Sequence, residues 1–274
     1  MAPLYVALIM GIVEGLTEFL PVSSTGHLIL VGDLLRFTGP KAETFDIAIQ
    51  LGAILAVVVL FRERFLGLLK TEPGRPFSGP RGIWLLFLTS LPALVIGFLT
   101  HHAIKEHLFG PRTVAGAFVV GALMMFVVEA RAARRGGGGR LPRRQTAGLD
   151  TMTPRLALGV GFFQCLALWP GFSRSGATIM GGMLLNVDRK TSAEYSFLAA
   201  VPVMCAAVGY DMLKSWRLFD AGDLTFLAVG FVVSFVAGWI AVKGFIGLVS
   251  HVTLRPFAWY RLALAPIVWL FWPG

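Results

Sequence analysis

Residues 14–27 read EGLTEFLPVSSTGH. Two carboxylates, a cluster of hydroxyls and a histidine stand between two apolar arms, about 4–13 and 28–35. Each arm is too short to cross a bilayer, which takes roughly 20 apolar residues. A polar segment broken by Pro21 and Gly26 between short apolar arms predicts a re-entrant hairpin over 4–35. Irregular backbone at membrane depth survives only where protein or a wet cavity surrounds it. Residues 156–187 repeat the plan around PGFSRSGAT at 170–178, which predicts a second hairpin.

The rest of the chain is consistent with a membrane setting. Hydrophobic residues make up 56% of 274 residues, and 32 glycines stand beside them. Charged residues are 14%, against roughly 25% in a soluble domain, which leaves too few polar groups to cover a soluble surface. Apolar runs near 44–61, 83–100, 113–128, 195–210, 224–242 and 257–272 are candidate spans, with Pro92, Pro202 and Pro266 as expected kinks. The expected fold is therefore an all-α polytopic membrane protein with six spanning helices and two re-entrant hairpins. Cys165 and Cys205 lie in apolar runs and read as packing residues.

The two halves are related. At a constant offset of 150, residues 11–36 align with 161–186 with eight identities, among them Gly11/Gly161, Ser23/Ser173, Gly26/Gly176 and Gly32/Gly182. Chance would give roughly two. One hairpin plus three spans per half inverts the second half relative to the first, an inverted-topology repeat. The expected division is a single membrane domain, 1–274, with a first repeat at 1–130, a flexible cytoplasmic linker at 131–155 and a second repeat at 156–274.

The net charge of +9 follows this topology. If loop 62–81 is cytoplasmic, so are 129–155, 186–191 and 243–261, and these hold 17 Lys and Arg against 6 outside. The bias places both termini, and the entrance of hairpin 4–35, on the outer face. The basic stretch 131–144 then meets anionic lipid rather than nucleic acid.

Glu14 and Glu18 are four apart and share a helix face. The open readings are a pair binding a divalent cation, a pair split into acid and base by repulsion, or a pair without chemistry that lines a wet cavity or is neutralised by Arg174. Pro21 ends one helix, and a hydroxyl residue caps the next. Free amides at such a helix start, with Ser23, Ser24, Thr25 and Gly26 beside them, form an anion site. Ser173, Arg174, Ser175, Gly176 and Thr178 repeat the design with a guanidinium added, which binds phosphate oxygens bidentately. The repeat pairs Ser23 with Ser173 as caps, and Ser24 with Arg174 as inward-pointing groups. His27 is a candidate proton donor or acceptor. Asp46 and Gln50 either hydrogen-bond the tip or hydrate a helix end.

EGLTEFLPVSSTGHL (14–28) and PGFSRSGAT (170–178) closely resemble the two signature motifs of the bacterial undecaprenyl-diphosphate phosphatases, also called bacitracin-resistance proteins. The resemblance extends over nearly the whole chain. It implies a multi-pass enzyme of the bacterial plasma (inner) membrane, and the charge bias above puts access to its site on the periplasmic side. The implied reaction converts undecaprenyl diphosphate to undecaprenyl phosphate and inorganic phosphate, which recycles the lipid carrier of cell-wall synthesis. The implied catalytic set is Ser24, His27, Glu18, Glu14 and Arg174, with Ser24 as nucleophile, Glu18 or His27 as base, or an activated water in place of the serine. Phosphate binding would fall to Ser23, Thr25, Gly26, Ser173, Arg174, Ser175, Gly176 and Thr178. Glu14 with Glu18 would hold Mg²⁺ or Ca²⁺. Partners beyond the substrate are membrane lipids and a second copy of the chain in a homodimer. The repeat alone also fits a lipid-phosphate or anion transporter; the Glu, Ser and His set facing an arginine separates the two.

Overall fold

The computed structural model describes residues 3–108, 110–137, 147–215, 218, 220–249 and 251–271. The ordered elements are α1 (Leu4–Glu18), α2 (Ser24–Leu34), α3 (Pro40–Leu60), α4 (Arg62–Gly67), α5 (Gly79–His107), α6 (Pro111–Gly137), α7 (Pro154–Gln164), α8 (Arg174–Leu184), α9 (Arg189–Ser215), α10 (Leu224–Val249) and α11 (Arg255–Phe271). No strand occurs among the described residues. Proline stands in the first turn of α3, α5 and α7, where its missing N–H costs nothing. Pro92, Pro202 and Pro266 lie inside α5, α9 and α11.

Among the described residues, five stretches are long and apolar enough to cross a membrane: Pro40–Leu60, Gly79–Thr100, Pro111–Arg134, Arg189–Ser215 and Leu224–Val249. α11 has 17 residues. The polarity of the bundle is inverted relative to a soluble fold. Phe98 is 85% exposed and Leu213 79%, whereas Glu14, Ser175, Ser196 and Arg261 are fully buried. Exposed apolar side chains on helices of this length suit a surface turned to lipid rather than water.

The sequence match at offset 150 has a counterpart in the backbone. α2 and α8 begin and end 150 residues apart. Both are preceded by a serine in the left-handed region, Ser23 at φ 72° and Ser173 at φ 77°. Both end in the same Schellman closure around a left-handed residue, Arg36 or Asn186. There Phe37 N donates to Gly32 O at 2.8 Å and Val187 N to Gly182 O at 2.9 Å.

The halves are interlocked rather than side by side. α1 packs chiefly on α10 and α7 on α5; α3 packs on α10, and α5 also meets α9. The first hairpin therefore rests on a helix of the second half, and the second hairpin on a helix of the first. The aligned pair Gly11 and Gly161 permits this. A Cβ at Gly11 would stand 2.7 Å from Gly230 O, and one at Gly161 would stand 2.6 Å from Thr89 O. Only glycine lets each hairpin lie directly on the neighbouring backbone.

Two expectations need correction. The segment 131–155 is not a flexible linker throughout. α6 continues to Gly137, as its Ala and Arg residues favour, and residues 138–146 lie outside the described residues. Beyond them the chain is tied down: Gly148 N donates to Thr191 Oγ1 at 2.7 Å, and Asp150 accepts from Phe77 N at 2.9 Å and Arg64 Nη1 at 3.1 Å. Second, Arg261 is no loop residue. It sits within α11 with 0% exposure, because backbone carbonyls from other elements bind it there.

Candidate active site

The two hairpin tips meet at the centre of the bundle. α1 stops at Glu18 because Leu20 precedes Pro21, which disfavours helical backbone. α2 restarts at Ser24 after the left-handed Ser23. In the second tip the chain passes through Pro170 and Gly171 (φ 91°) to Ser173, and α8 begins at Arg174. Two helix starts thus converge on the end of α1.

Glu18 joins them. Its Oε2 accepts a hydrogen bond from Ser24 Oγ, and its Oε1 accepts from Arg174 Nη2 at 3.0 Å. The side chains of this ion pair are 10% and 14% exposed, so both charges are largely out of solvent. Arg174 is fixed further by Nη1 donating to Ser196 O at 3.3 Å, by Nη2 against Met204 Sδ at 3.2 Å, and by the Phe19 ring 5.1 Å from its guanidinium carbon. Its Nε is buried without a partner. Ser24 and Arg174, the pair that the repeat superposes, share one carboxylate.

Glu14 lies one turn before Glu18. It is fully buried, and neither carboxylate oxygen has a hydrogen-bond partner. An ionised carboxylate in that state is costly, so it calls for a proton or a cation. No group of three or more His, Cys, Asp or Glu side chains gathers as a metal site among the described residues. Two carboxylates completed by phosphate oxygens and water are the usual Mg²⁺ arrangement at phosphate sites, and Glu14 with Glu18 fits that donor set. Asp46 Oδ1 is likewise buried and unpartnered.

The caps are not equivalent. Ser173 Oγ accepts from Gly176 N at 3.1 Å, whereas Ser23 makes no side-chain cap bond. The first amides of α2 therefore have no side-chain acceptor, while α8 is capped. Ser175 Oγ donates to Leu20 O at 2.9 Å and so ties one tip to the other. Thr178 Oγ1 bonds Arg174 O at 2.9 Å and Ser196 Oγ at 2.6 Å, joining α8 to α9. Thr25 is exposed at the start of α2. Gly26 leaves room for the Phe118 ring, 2.6 Å from where a Cβ would stand.

His27 faces away from Ser24. Nδ1 donates to Ser23 O at 2.6 Å, so the neutral ring accepts at Nε2 from Tyr260 Oη, also 2.6 Å away. The two rings stack with 4° between their planes. Tyr260, Arg261, Ser196 and Met204 escaped the sequence reading. Arg261 carried a legible signal, a charge within the apolar run 257–272; the others carried none.

Fold and site together define a multi-pass helical membrane protein whose two tips bring a largely buried arginine, a carboxylate and a serine hydroxyl into one hydrogen-bonded chain. The chain belongs to the bacitracin resistance protein BacA family, whose profile matches residues 7–267. It is 65% identical over 272 residues to an undecaprenyl-diphosphatase of Maridesulfovibrio salexigens, covering 99% of this chain and 100% of that one. It is 64% identical over 271 residues to an undecaprenyl-diphosphatase of Nitratidesulfovibrio vulgaris, covering 99% of both chains. Identity to undecaprenyl-diphosphatase 1 of Bacillus cereus is 47% over 272 residues, again 99% of both.

Proposed function

We propose that this chain hydrolyses undecaprenyl diphosphate to undecaprenyl phosphate and inorganic phosphate, returning the lipid carrier to cell-wall synthesis and conferring bacitracin resistance. The observation that carries the reading is the Ser24–Glu18–Arg174 chain of hydrogen bonds at the meeting point of the two tips. Full-length similarity to relatives named for that activity supports the substrate.

In the mechanism the geometry supports best, the terminal phosphate lies over the uncapped start of α2 and beside Arg174. Ser24 Oγ attacks the terminal phosphorus, and its proton passes to Glu18 Oε2, the atom it already bonds. The P–O bond to the bridging oxygen breaks, and undecaprenyl phosphate leaves carrying the electron pair. Glu18 gives the serine proton to the departing undecaprenyl phosphate; it then takes a proton from the water that attacks the phosphoserine and returns it to Ser24 Oγ as the O–P bond breaks and inorganic phosphate leaves. Arg174 and the α2 amides stabilise charge on the phosphoryl oxygens throughout. Because Ser24 bonds Glu18 and the His27 ring is engaged with Ser23 O and Tyr260, Glu18 is the base and His27 holds the backbone of the tip. Glu14 with Glu18 would hold a Mg²⁺ or Ca²⁺ ion, which would neutralise phosphate charge when bound.

In the membrane we propose six spans, the five long helices and α11, with the two hairpins entering from opposite faces as an inverted repeat. Removing Arg261 from the cytoplasmic loops leaves the basic bias in place, which supports a first hairpin open to the periplasmic side. The test is phosphate release from undecaprenyl diphosphate by purified protein in detergent. Release of one phosphate per undecaprenyl phosphate formed is expected. Lipid movement across vesicles without release would favour the transporter reading instead.

A further inference from the structure

Arg261 is fully buried in α11, and its guanidinium meets backbone carbonyls rather than carboxylates. Nε donates to Phe118 O at 3.2 Å and Nη2 to Ala117 O at 2.9 Å, both on α6. The remaining bonds go to the tips. Nη1 donates to Phe172 O at 2.7 Å and Pro21 O at 3.5 Å, and Nη2 donates to Gly171 O at 3.0 Å. The rings of Phe118 and Phe172 lie 5.1 and 5.9 Å from the guanidinium carbon. No ion pair to Arg261 occurs among the described residues. A buried charge of this kind persists only where its donors are satisfied, and here three of the five acceptors lie one or two residues ahead of a strained serine.

We propose that Arg261 is a positioning residue for the reaction: one guanidinium straps the backbones of both tips to α6 and thereby sets Ser24 against Arg174. Ser23 and Ser173 hold left-handed conformations that a side chain resists, at φ 72° and φ 77°. Such conformations last only where the surroundings over-determine them. Pro21 and Phe172, two residues and one residue ahead of those serines, carry carbonyls bound by the same Nη1 atom. Tyr260, the preceding residue of α11, reaches the first tip by a second path, through His27 to Ser23 O. The fold has made room for the strap at Gly121, where a Cβ would stand 2.8 Å from the Arg261 guanidinium carbon.

The inference rests on the phosphatase reading, so turnover by the parent protein is the control. Arg261→Lys keeps the charge but cannot reach three segments at once, and Gly121→Ala displaces the guanidinium without removing it. Both should lower kcat per folded protein by about 10- to 100-fold, the scale expected when reacting groups are misplaced by an ångström or less, with KM changed less than about threefold. Ser23→Gly, which relieves the left-handed strain, should lower activity in the parent yet recover about threefold or more in Arg261→Lys. Losses that simply add would show that Arg261 does not act through the tip backbone. A kcat within twofold of the parent, in either variant recovered folded by size exclusion and thermal unfolding in detergent, would overturn the proposal. Should Arg261→Lys fail to fold, Gly121→Ala decides alone. If the parent itself releases no phosphate, the phosphatase reading fails, and ³¹P line broadening of inorganic diphosphate replaces turnover. Broadening lost in Gly121→Ala would then support the strap, and equal broadening would overturn it.

Discussion

Replacing Ser24 by alanine separates a serine nucleophile from an activated water. The hydroxyl makes one hydrogen bond, to Glu18 Oε2, while Arg174 Nη2 independently holds Oε1 at 3.0 Å. Removing it leaves the carboxylate paired, so the structural cost is that of one hydrogen bond to a charged group, about 1.5–3 kcal/mol at most. Were Ser24 only a partner that orients Glu18, the loss of rate would stay in that range, about 10- to 100-fold at 1.36 kcal/mol per decade. Loss of a covalent nucleophile acting with its base costs about 10⁴-fold or more, by analogy with serine hydrolases. The two accounts are therefore two decades or more apart. The assay is phosphate release from undecaprenyl diphosphate by purified, monodisperse protein, with mass spectrometry of acid-quenched parent enzyme to find a phosphate on the peptide holding Ser24. We expect Ser24→Ala to fall by at least about 10⁴-fold with its thermal midpoint little changed. Ser23→Ala should cost less stability than the usual helix cap, about 1 kcal/mol, because Ser23 makes no cap bond here. Retention of more than about 1% activity by Ser24→Ala would refute nucleophilic catalysis and make water the attacking group.

The other predictions follow from the same geometry. Arg174→Lys should lose about 10²–10³ in turnover, since an ammonium cannot bond Glu18 and Ser196 O while also offering a planar donor pair to phosphate; near-normal rates would leave Arg174 a mere charge balancer. Chelator should abolish phosphate release and Mg²⁺ or Ca²⁺ should restore it, with Glu14→Gln raising the metal concentration required. Full activity in chelator would leave the glutamates as acid–base groups alone. A cysteine at the exposed position Lys70 should be protected from impermeant thiol reagents in intact cells and one at Lys214 labelled; the reverse pattern would invert the proposed topology.

Much of this protein can be read without coordinates, because a bilayer punishes every charge and every unpaired backbone group. That penalty makes Glu14, Glu18 and Arg174 conspicuous among apolar residues. It also makes Pro21 and Pro170 reliable marks of helix ends, and the 150-residue register of the two tips survives intact in α2 and α8. The sequence also singled out Ser24 and Arg174 as the inward pair, since the repeat superposes them, and on Glu18 the two side chains do converge. What a linear reading lacks is any term for contacts between distant segments. It took Arg261 for a loop charge because a basic residue near a span end is ordinarily solvated. Only packing supplies the carbonyls of Pro21, Ala117, Phe118, Gly171 and Phe172 that make its burial tolerable. For the same reason Ser23 and Ser173 look alike in sequence, yet only Ser173 closes its cap. His27 turned from a free acid–base candidate into a ring held between Ser23 O and Tyr260, a partner 233 residues away. Local chemistry along the chain chose which residues the site would be built from. Which of them meet, and which merely hold the others, was decided by hairpins that pack on the opposite half of the molecule.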